Sequence, residues 1–212
     1  MKTARVCCFA LGTALLLAAL FLVLHNISED KKSGRQAERI LAELKDEIPE
    51  FSSEPEDVLM TEEKYDLFAE YEKPAAEEMK TIEIDGALYI GYITIPELGT
   101  ELPVMNSWSY EDLKKSPCRY SGNISDNDLV IAAHNYRSHF GRINELDNGD
   151  EIVFTDVTGK TYHFTVINVE SIPGTAVEEM QSGASDEWDL TLFTCTLSGQ
   201  SRVTIRAERT ED

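Results

Sequence analysis

Residues capable of acyl-transfer chemistry stand at the ends of predicted β-strands. Cys195 ends the apolar, β-branched run "DLTLFTC", and Arg202 opens the run "RVTIRAE" after the turn-like insert "TLSGQS". If these runs pair as antiparallel strands, Cys195 and Arg202 lie opposite each other, about 5 Å apart at their Cα atoms. A neighbouring cation favours the thiolate, which is the nucleophilic form of cysteine. The guanidinium group also offers donors to a developing oxyanion.

A histidine is the third candidate for this chemistry. His134 follows the buried-type strand "NDLVIAA", and a histidine at a strand end can face a cleft and exchange protons near neutral pH. The alternatives are that His134 is structural, or that His139 in a loop or His163 in a strand does this work. Cys195 itself is alternatively a packed apolar thiol, because cysteine is among the most buried residue types.

The elements that must position these residues are mostly strands. From Thr81 onward, short stretches alternate apolar and polar residues and are interrupted by Gly and Pro, as in "TIEIDGALYIGYITIPELGTELPV". The stretch "GDEIVFTDVTGKTYHFTVINVESI" predicts two strands joined by a tight turn at Thr158-Gly159. Short helical turns are predicted at "SYEDLKKS" and "FGRINEL". The resulting seven or eight strands predict a mostly β protein with a closed or nearly closed barrel.

The N-terminus carries an apolar run of membrane-spanning length, Val6–Leu24. The segment after it lacks a small-x-small cleavage pattern, so we predict a retained transmembrane anchor rather than a cleaved signal peptide. Lys2 and Arg5 precede the run. Four basic residues follow the run: Lys31, Lys32, Arg35 and Arg39. Because basic residues favour the cytoplasmic side of a membrane, their number alone would place the C-terminal part inside the cell. We nevertheless predict an external C-terminal part, because the N-terminal tail is very short and nearby acidic residues dilute the positive charge.

The chain divides into three predicted regions. Residues 1–25 form a cytoplasmic tail and membrane anchor, residues 26–80 an acidic linker, and residues 81–212 an extracytoplasmic β-barrel. The linker begins with a short amphipathic helix that either packs on the barrel or serves as a stalk, and a local helix is predicted around "EEKYDLFAEYE". The apolar positions of the amphipathic helix are Ile40, Leu41, Leu44 and Ile48.

Charge and cysteine content exclude some classes of function. The formal net charge of −20 argues against nucleic-acid binding, which needs clustered Lys and Arg. Of the four cysteines, Cys7 and Cys8 belong to the apolar run, which leaves Cys118 and Cys195 as a possible disulfide. No C-x-x-C motif supports a redox role. We predict that both thiols are free, because a bridge would block the nucleophile.

Together, these motifs resemble the sortases, which are membrane-anchored cysteine transpeptidases of Gram-positive bacteria. The family combines a His at a strand end, a Thr-Cys pair ending a later strand and an Arg opening the next strand. Here the matching residues are His134, Thr194-Cys195 and Arg202 within "NDLVIAAHN", "LTLFTCT" and "RVTI". The resemblance implies the eight-stranded sortase β-barrel. The insert before Arg202 is shorter than in many relatives, which makes Arg206 the backup candidate for the catalytic arginine.

The resemblance also implies a reaction and partners. A sortase cleaves a Leu-Pro-x-Thr-Gly-like sorting signal of a secreted protein through a thioester on its cysteine. It then joins that protein to an amine of a cell-wall precursor or of another protein. The expected roles are nucleophile for Cys195, proton donor and acceptor for His134, and oxyanion stabilisation for Arg202. We expect no metal and no cofactor, and an enzyme at the cell membrane with its catalytic domain outside.

Two alternatives compete with a transpeptidase. A hydrolytic cysteine peptidase on the same scaffold would resolve the thioester with water, and the sequence does not separate it from a transpeptidase. A non-catalytic, membrane-tethered domain that binds wall components would not depend on Cys195. The subclass also stays open: the segment before the barrel is like class B sortases, whereas "HFGRINEL" is nearer to other classes.

Overall fold

The computed structural model of the protein describes residues 2–49, 79–177, 179 and 188–210. Helix α1 comes first, and nine strands and two short 3-10 helices follow in the described part of the chain. The 3-10 helices are Pro96–Leu98 and Ile143–Glu145, the second within the predicted "FGRINEL" helix. The remaining elements are α1 (Lys2–Glu47), β1 (Ile82–Ile84), β2 (Ala87–Ile95), β3 (Thr100–Met105), β4 (Cys118–Ser121), β5 (Leu129–Ala133), β6 (Glu151–Asp156), β7 (Thr161–Pro173), β8 (Leu190–Cys195) and β9 (Ser201–Arg209).

The strands form one sheet that closes on itself. Their order is β1-β2-β3-β4-β5-β8-β9-β7-β6, and β6 pairs back with β2. Strands β2 to β9 therefore make a closed eight-stranded barrel, and β1 is a hairpin extension of β2. Two neighbouring pairs are parallel, β3 with β4 and β5 with β8. The predicted mostly β fold with a closed barrel of about eight strands is confirmed.

Closure of the barrel requires a glycine in β2. Gly91 has φ +150° at an irregularity in the β2–β3 register, where β2 also pairs with β6. A Cβ at this position would lie 2.0 Å from the carbonyl oxygen of Thr155, which is far inside van der Waals contact. The absence of a side chain lets the backbones of β2 and β6 approach closely.

Alternation along β5 and β8 separates a core face from an outer face. Leu129, Ile131 and Ala133 of β5 belong to the main core inside the barrel. Val130 and Ala132 point the other way and belong to a second apolar cluster on the outside. This cluster, which we call the outer patch, consists of Val130, Ala132, Ile172 and Phe193. Because β5 is buried on both faces, it reads as a continuous apolar run rather than as an alternating strand.

Helix α1 joins the apolar run and the amphipathic segment without a break. It is the one helix in the described residues that is long and apolar enough to cross a membrane, and its most apolar window, with a mean hydropathy of 2.1, is not buried. The amphipathic segment is therefore not the separate short helix that the sequence predicts. The local helix predicted around "EEKYDLFAEYE" lies outside the described residues.

The C-terminal half of α1 packs on the barrel. Ile40 and Leu44 are almost fully buried and contact a cluster that includes Tyr89 and Met105. One turn earlier, Ala37 reaches the main core. The spacing of these residues by three and four places them on one helix face. Of the two readings of the amphipathic segment, docking on the barrel is therefore the correct one.

Candidate active site

Cys195 is the last residue of β8, and its side chain is exposed and carries a free thiol. The alternation of β8 explains this exposure. Leu190 and Leu192 point into the core, whereas Phe193 lies in the outer patch. Cys195 shares the outward parity of Phe193. The reading of Cys195 as a packed core thiol is therefore wrong.

Arg202 is the direct cross-strand partner of Cys195 in the antiparallel pairing of β8 with β9, as the sequence predicts. Its neighbour Val203 packs against the main core, so Arg202 has outward parity. Its Nη1 donates hydrogen bonds to the carbonyl oxygens of Gly199 (3.0 Å) and Ser201 (3.2 Å) in the β8–β9 connection. These bonds hold the guanidinium group at the same end of the barrel as the thiol.

His134 reaches this end through the parallel pairing of β5 with β8. Ala133 of β5 is paired with Thr194 of β8. His134 follows Ala133 and Cys195 follows Thr194, so the two residues lie next to each other across the parallel pair. The hydroxyl of Thr194 donates to the Ala133 carbonyl oxygen (2.8 Å) and ties the two strand ends together. Because paired strands lie about 4.8 Å apart, the backbones that carry the imidazole and the thiol are adjacent.

The imidazole of His134 is held by the two residues after it. Its Nδ1 lies 3.0 Å from Oδ1 of Asn135, and an amide oxygen only accepts, so Nδ1 carries the proton. The ring of Tyr136 stacks on the imidazole, with centroids 4.1 Å apart and an interplanar angle of 8°. The Nε2 atom is then the ring nitrogen that can accept or release a proton.

The structure therefore brings the three predicted residues together on the outer face, at one end of four neighbouring strands in the order β7, β9, β8 and β5. A nucleophilic sulfur, a proton-exchanging nitrogen and a permanent cation are the groups that acyl transfer needs. Among the described residues, no group of three or more His, Cys, Asp and Glu side chains is arranged to hold a metal ion.

The other candidate histidines lie elsewhere. His139 is buried, and its Nε2 contacts Ser33 of α1. His163 lies on β7 and pairs with Glu151 of β6, 2.8 Å away. Neither histidine lies at a position that strand pairing brings next to Cys195.

The backup arginine also has a different environment. Arg206 is buried, its Nε donates to Glu170 (2.7 Å), and its guanidinium stacks on Trp188 at 4.0 Å from the ring centroid. It pairs with Thr191, four residues before Cys195 on β8. These contacts indicate a structural role for Arg206 and favour Arg202 as the cation of the site.

Cys118 is chemically unlike Cys195. It is free and buried in β4, where its thiol donates to the carbonyl oxygen of Ser116 (3.4 Å). Burial, with a smaller contribution from Asp112, raises the pKa of the Cys118 thiol to about 12. This side chain therefore stays a neutral thiol, and the alternative of a Cys118–Cys195 disulfide is not realised in the structure.

Sequence reasoning missed an aromatic row beside the thiol. Phe193 packs edge-to-face on Tyr120 (centroids 5.2 Å apart), and Tyr120 stacks on the partly exposed Trp108 (5.3 Å). The one local signal was Phe193, which stands two residues before Cys195 and so shares its face. Nothing in the local pattern around Trp108 or Tyr120 pointed to β8.

Comparison with known proteins gives a consistent result. The family model described as "Sortase domain" matches residues 93–210. Sortase A of Bacillus anthracis is 27% identical over 129 residues, which make up 58% of this chain and 60% of that relative. The chain thus matches less than two thirds of that protein's length.

Solved structures agree with the family model. Sortase C from Clostridium perfringens SM101 is 26% identical, with a TM-score of 0.50 over 58% of this chain and 71% of that chain. Clostridium perfringens sortase C with the C-terminal cell wall sorting motif is 24% identical, with a TM-score of 0.50 over 58% of this chain and 71% of that chain. The family model covers more than half of the chain and includes His134, Cys195 and Arg202. On these grounds the chain belongs to the sortase family.

Proposed function

We propose that this protein is a cysteine transpeptidase that cleaves a sorting signal and transfers the acyl group to an amine. One observation supports this most strongly. In the β5–β8 and β8–β9 registers, His134, Cys195 and Arg202 lie on neighbouring strand ends, where the Cys195 thiol is exposed. Membership of the sortase family supports the same reaction class.

In the first half-reaction, Sγ of Cys195 attacks the carbonyl carbon of the scissile peptide bond, and a C–S bond forms. The carbonyl oxygen becomes an oxyanion. In the described residues, the hydrogen bonds of Arg202 use Nη1 only, so its Nε and Nη2 donors face no competing protein acceptor. The C–N bond then breaks, and Nε2 of His134 gives its proton to the departing amine. The product is a thioester on Cys195.

In the second half-reaction, an amine attacks the thioester carbonyl. His134 takes a proton from the amine, the C–S bond breaks and a new amide bond forms. Cys195 leaves as a thiolate, and the protonated imidazole is restored. Each cycle therefore starts from a Cys195 thiolate beside a protonated His134 imidazole.

The proposed substrate is a Leu-Pro-x-Thr-Gly-like signal of a secreted protein. The aromatic row supports it, since apolar residues of a bound peptide would pack on the exposed ring of Trp108, which is linked through Tyr120 to Phe193, two residues before Cys195. The similar sortase C that holds a C-terminal cell wall sorting motif supports the same substrate class. The proposed acceptor is the amine of a peptidoglycan precursor or of another protein in the wall of a Gram-positive bacterium.

The proposed location is the cell membrane, with residues 1–25 as tail and anchor, residues 26–80 as linker, and residues 81–212 as the catalytic domain outside the cell. The exposed apolar part of α1 supports a single membrane span. Wall substrates and acceptors lie outside the cytoplasm, which requires the catalytic domain to be there as well.

We expect protease added to intact cells to remove the barrel while cytoplasmic proteins stay whole, because the catalytic domain is external. Immunoblotting with an antibody to the barrel measures this loss, and lysed cells are the control for protease sensitivity. Degradation of the barrel only after lysis would contradict the proposed orientation.

We expect a panel of sorting peptides to form a covalent adduct with the enzyme when no amine is added. Intact mass spectrometry and peptide mapping should place the added acyl mass on Cys195, because only this described thiol is exposed. The Cys195→Ala variant is the control and should form no adduct.

Adding an amine such as triglycine should then convert the adduct into a peptide joined to that amine. Release of free acid at an unchanged rate with and without the amine would show a hydrolase instead. A wild-type enzyme that forms neither adduct nor product with any peptide would contradict the proposed function.

Arginine replacement should separate Arg202 from Arg206. We expect Arg202→Ala to lower kcat by about 10²–10³-fold, the usual cost of removing an oxyanion donor, with little change in melting temperature. Arg206→Ala should lower the melting temperature, since it leaves Glu170 without its partner. Its kcat per folded molecule should stay close to that of the wild type. Loss of turnover in Arg206→Ala but not in Arg202→Ala would reverse the assignment.

A further inference from the structure

One turn of α1 touches the loop that follows His134. This turn, residues 30–34, lies between the apolar run and the part of α1 that packs on the barrel. The Asp30 carboxylate accepts hydrogen bonds from the backbone N–H of Ser138 (3.1 Å) and from its hydroxyl. Gly34 lies so close that an added Cβ would be 2.8 Å from Cβ of Ser138. The 30–34 turn therefore contacts the loop directly, at the backbone and the Cβ of Ser138.

A second contact of the same turn determines the protonation of a buried histidine. The Ser33 hydroxyl donates its one proton to the Lys114 carbonyl oxygen. Oγ of Ser33 must then accept from Nε2 of His139, 2.9 Å away, so His139 carries its proton on Nε2. Its Nδ1 is buried and has no hydrogen-bond partner in the described structure. A neutral imidazole satisfies this arrangement, and burial lowers the pKa of His139 to about 4.

The loop transmits these contacts to His134 over a short distance. The ring of Tyr136 lies between the two histidines, with its centroid 5.6 Å from that of His139 and 4.1 Å from that of His134. The backbone is compact as well, because the N–H of Phe140 donates to the His134 carbonyl oxygen (3.3 Å) and the N–H of His139 to that of Tyr136 (2.9 Å). A shift of Ser138 or His139 therefore moves the surface on which the His134 imidazole rests.

We propose that the 30–34 turn of α1 is a positioning element of the active site, which fixes the orientation of His134 through Ser138 and His139. The proposal rests on the proposed catalytic role of His134. The turn begins six residues after Leu24, so its contacts with the loop lie about 9 Å along the helix from the end of the apolar run. The helix that anchors the protein would thus also complete its catalytic site.

A purely adhesive role for the turn is the competing explanation, and α1 provides a matched control. Arg39 of α1 forms an ion pair with Asp85 in the β1–β2 turn. This contact also joins α1 to the barrel, but it involves no residue of the loop after His134. If the 30–34 turn only attached the helix, weakening either contact should have the same effect on catalysis.

The test compares Asp30→Ala, Asp30→Asn and Arg39→Ala in the full chain in detergent or nanodiscs. Asp30→Ala should lower kcat by about 10-fold or more with little change in KM, because sub-ångström misplacement of a catalytic group reduces the rate while substrate still binds. Asp30→Asn keeps an oxygen acceptor for Ser138 and should retain most of the activity. Arg39→Ala should stay close to wild type.

A second readout does not require turnover. The His134 imidazole resonances in NMR should shift in Asp30→Ala and stay near their wild-type positions in Asp30→Asn and Arg39→Ala. An inactive wild type would contradict the proposed function, while the NMR comparison would still test the positioning. Equal effects of Asp30→Ala and Arg39→Ala on kcat and on the resonances would overturn the proposal, as would wild-type values in Asp30→Ala.

The buried neutral His139 predicts a specific acid sensitivity. Its pKa lies below the ordinary 6.5 in the folded state, so the unfolded chain binds the extra proton between pH 6.5 and about 4. The titratable groups that act on it are His134, which opposes its protonation, and Asp30 of α1, which favours it. The stability contributed by a neutral His139 is therefore complete above pH 6.5 and is lost as the pH falls to about 4.

The measurement compares the pH dependence of unfolding for the wild type and His139→Gln, which keeps a donor for Ser33 but does not titrate. As the pH falls from 7 to 4, the free energy of unfolding should decrease more for the wild type than for the variant. The difference in free energy between the two proteins should therefore narrow or reverse. Parallel curves across this window would show that His139 is not held neutral by its buried site.

Discussion

The parallel pairing of β5 with β8 is the constraint on which the site depends. Ala133 and Thr194 are 61 residues apart in the chain, yet the Thr194 hydroxyl donates directly to the Ala133 carbonyl oxygen. Parallel strands cannot be joined by a tight turn. Here the chain between β5 and β8 includes β6 and β7, which close the barrel because β7 pairs with β9 and β6 pairs with β2. Closing the barrel and juxtaposing His134 with Cys195 are thus consequences of the same topology.

Position on the barrel, rather than residue type, distinguishes the candidate site residues from structural side chains. Cys118 and Cys195 are both strand cysteines, but burial keeps the first a neutral thiol, whereas the second is exposed at a strand end. Arg202 and Arg206 both lie on the outer face of β9. Arg206 is buried against Glu170 and Trp188, which pair with its charge and hold it in place. Arg202, at the start of the strand, uses only its Nη1 in hydrogen bonds to the described residues.

Continuity of α1 links the N-terminal apolar run to the domain. A stalk separated from the barrel would leave the domain free to rotate relative to the apolar run. Instead, Ala37 enters the main core, and Ile40 and Leu44 pack in the next cluster. Fully burying an Ile or Leu side chain contributes about 1.5–3 kcal/mol, whereas an exposed ion pair such as Arg39–Asp85 contributes little because solvent screens it. Apolar packing therefore supplies most of the free energy that docks the helix.

The strands of the barrel could be predicted because their signals are local. Alternation, β-branched runs and the Thr158-Gly159 turn each involve only neighbouring residues, and β6 and β7 lie where these signals indicate. The register of Cys195 with Arg202 was also predictable, since one short insert joins β8 and β9. A residue count across that insert is enough to place the two opposite each other.

The sequence by itself determined the strand pattern, the apolar run and the family, and it predicted His134, Cys195 and Arg202 as the site residues. The tertiary structure alone decided that α1 docks on the barrel, that its 30–34 turn contacts Ser138 and His139, and that Trp108 and Tyr120 line up with Phe193. The physical reason is separation along the chain. Asp30 and Ser138 are 108 residues apart, and no local periodicity records which distant surface a helix face or an aromatic ring will meet once the barrel has closed.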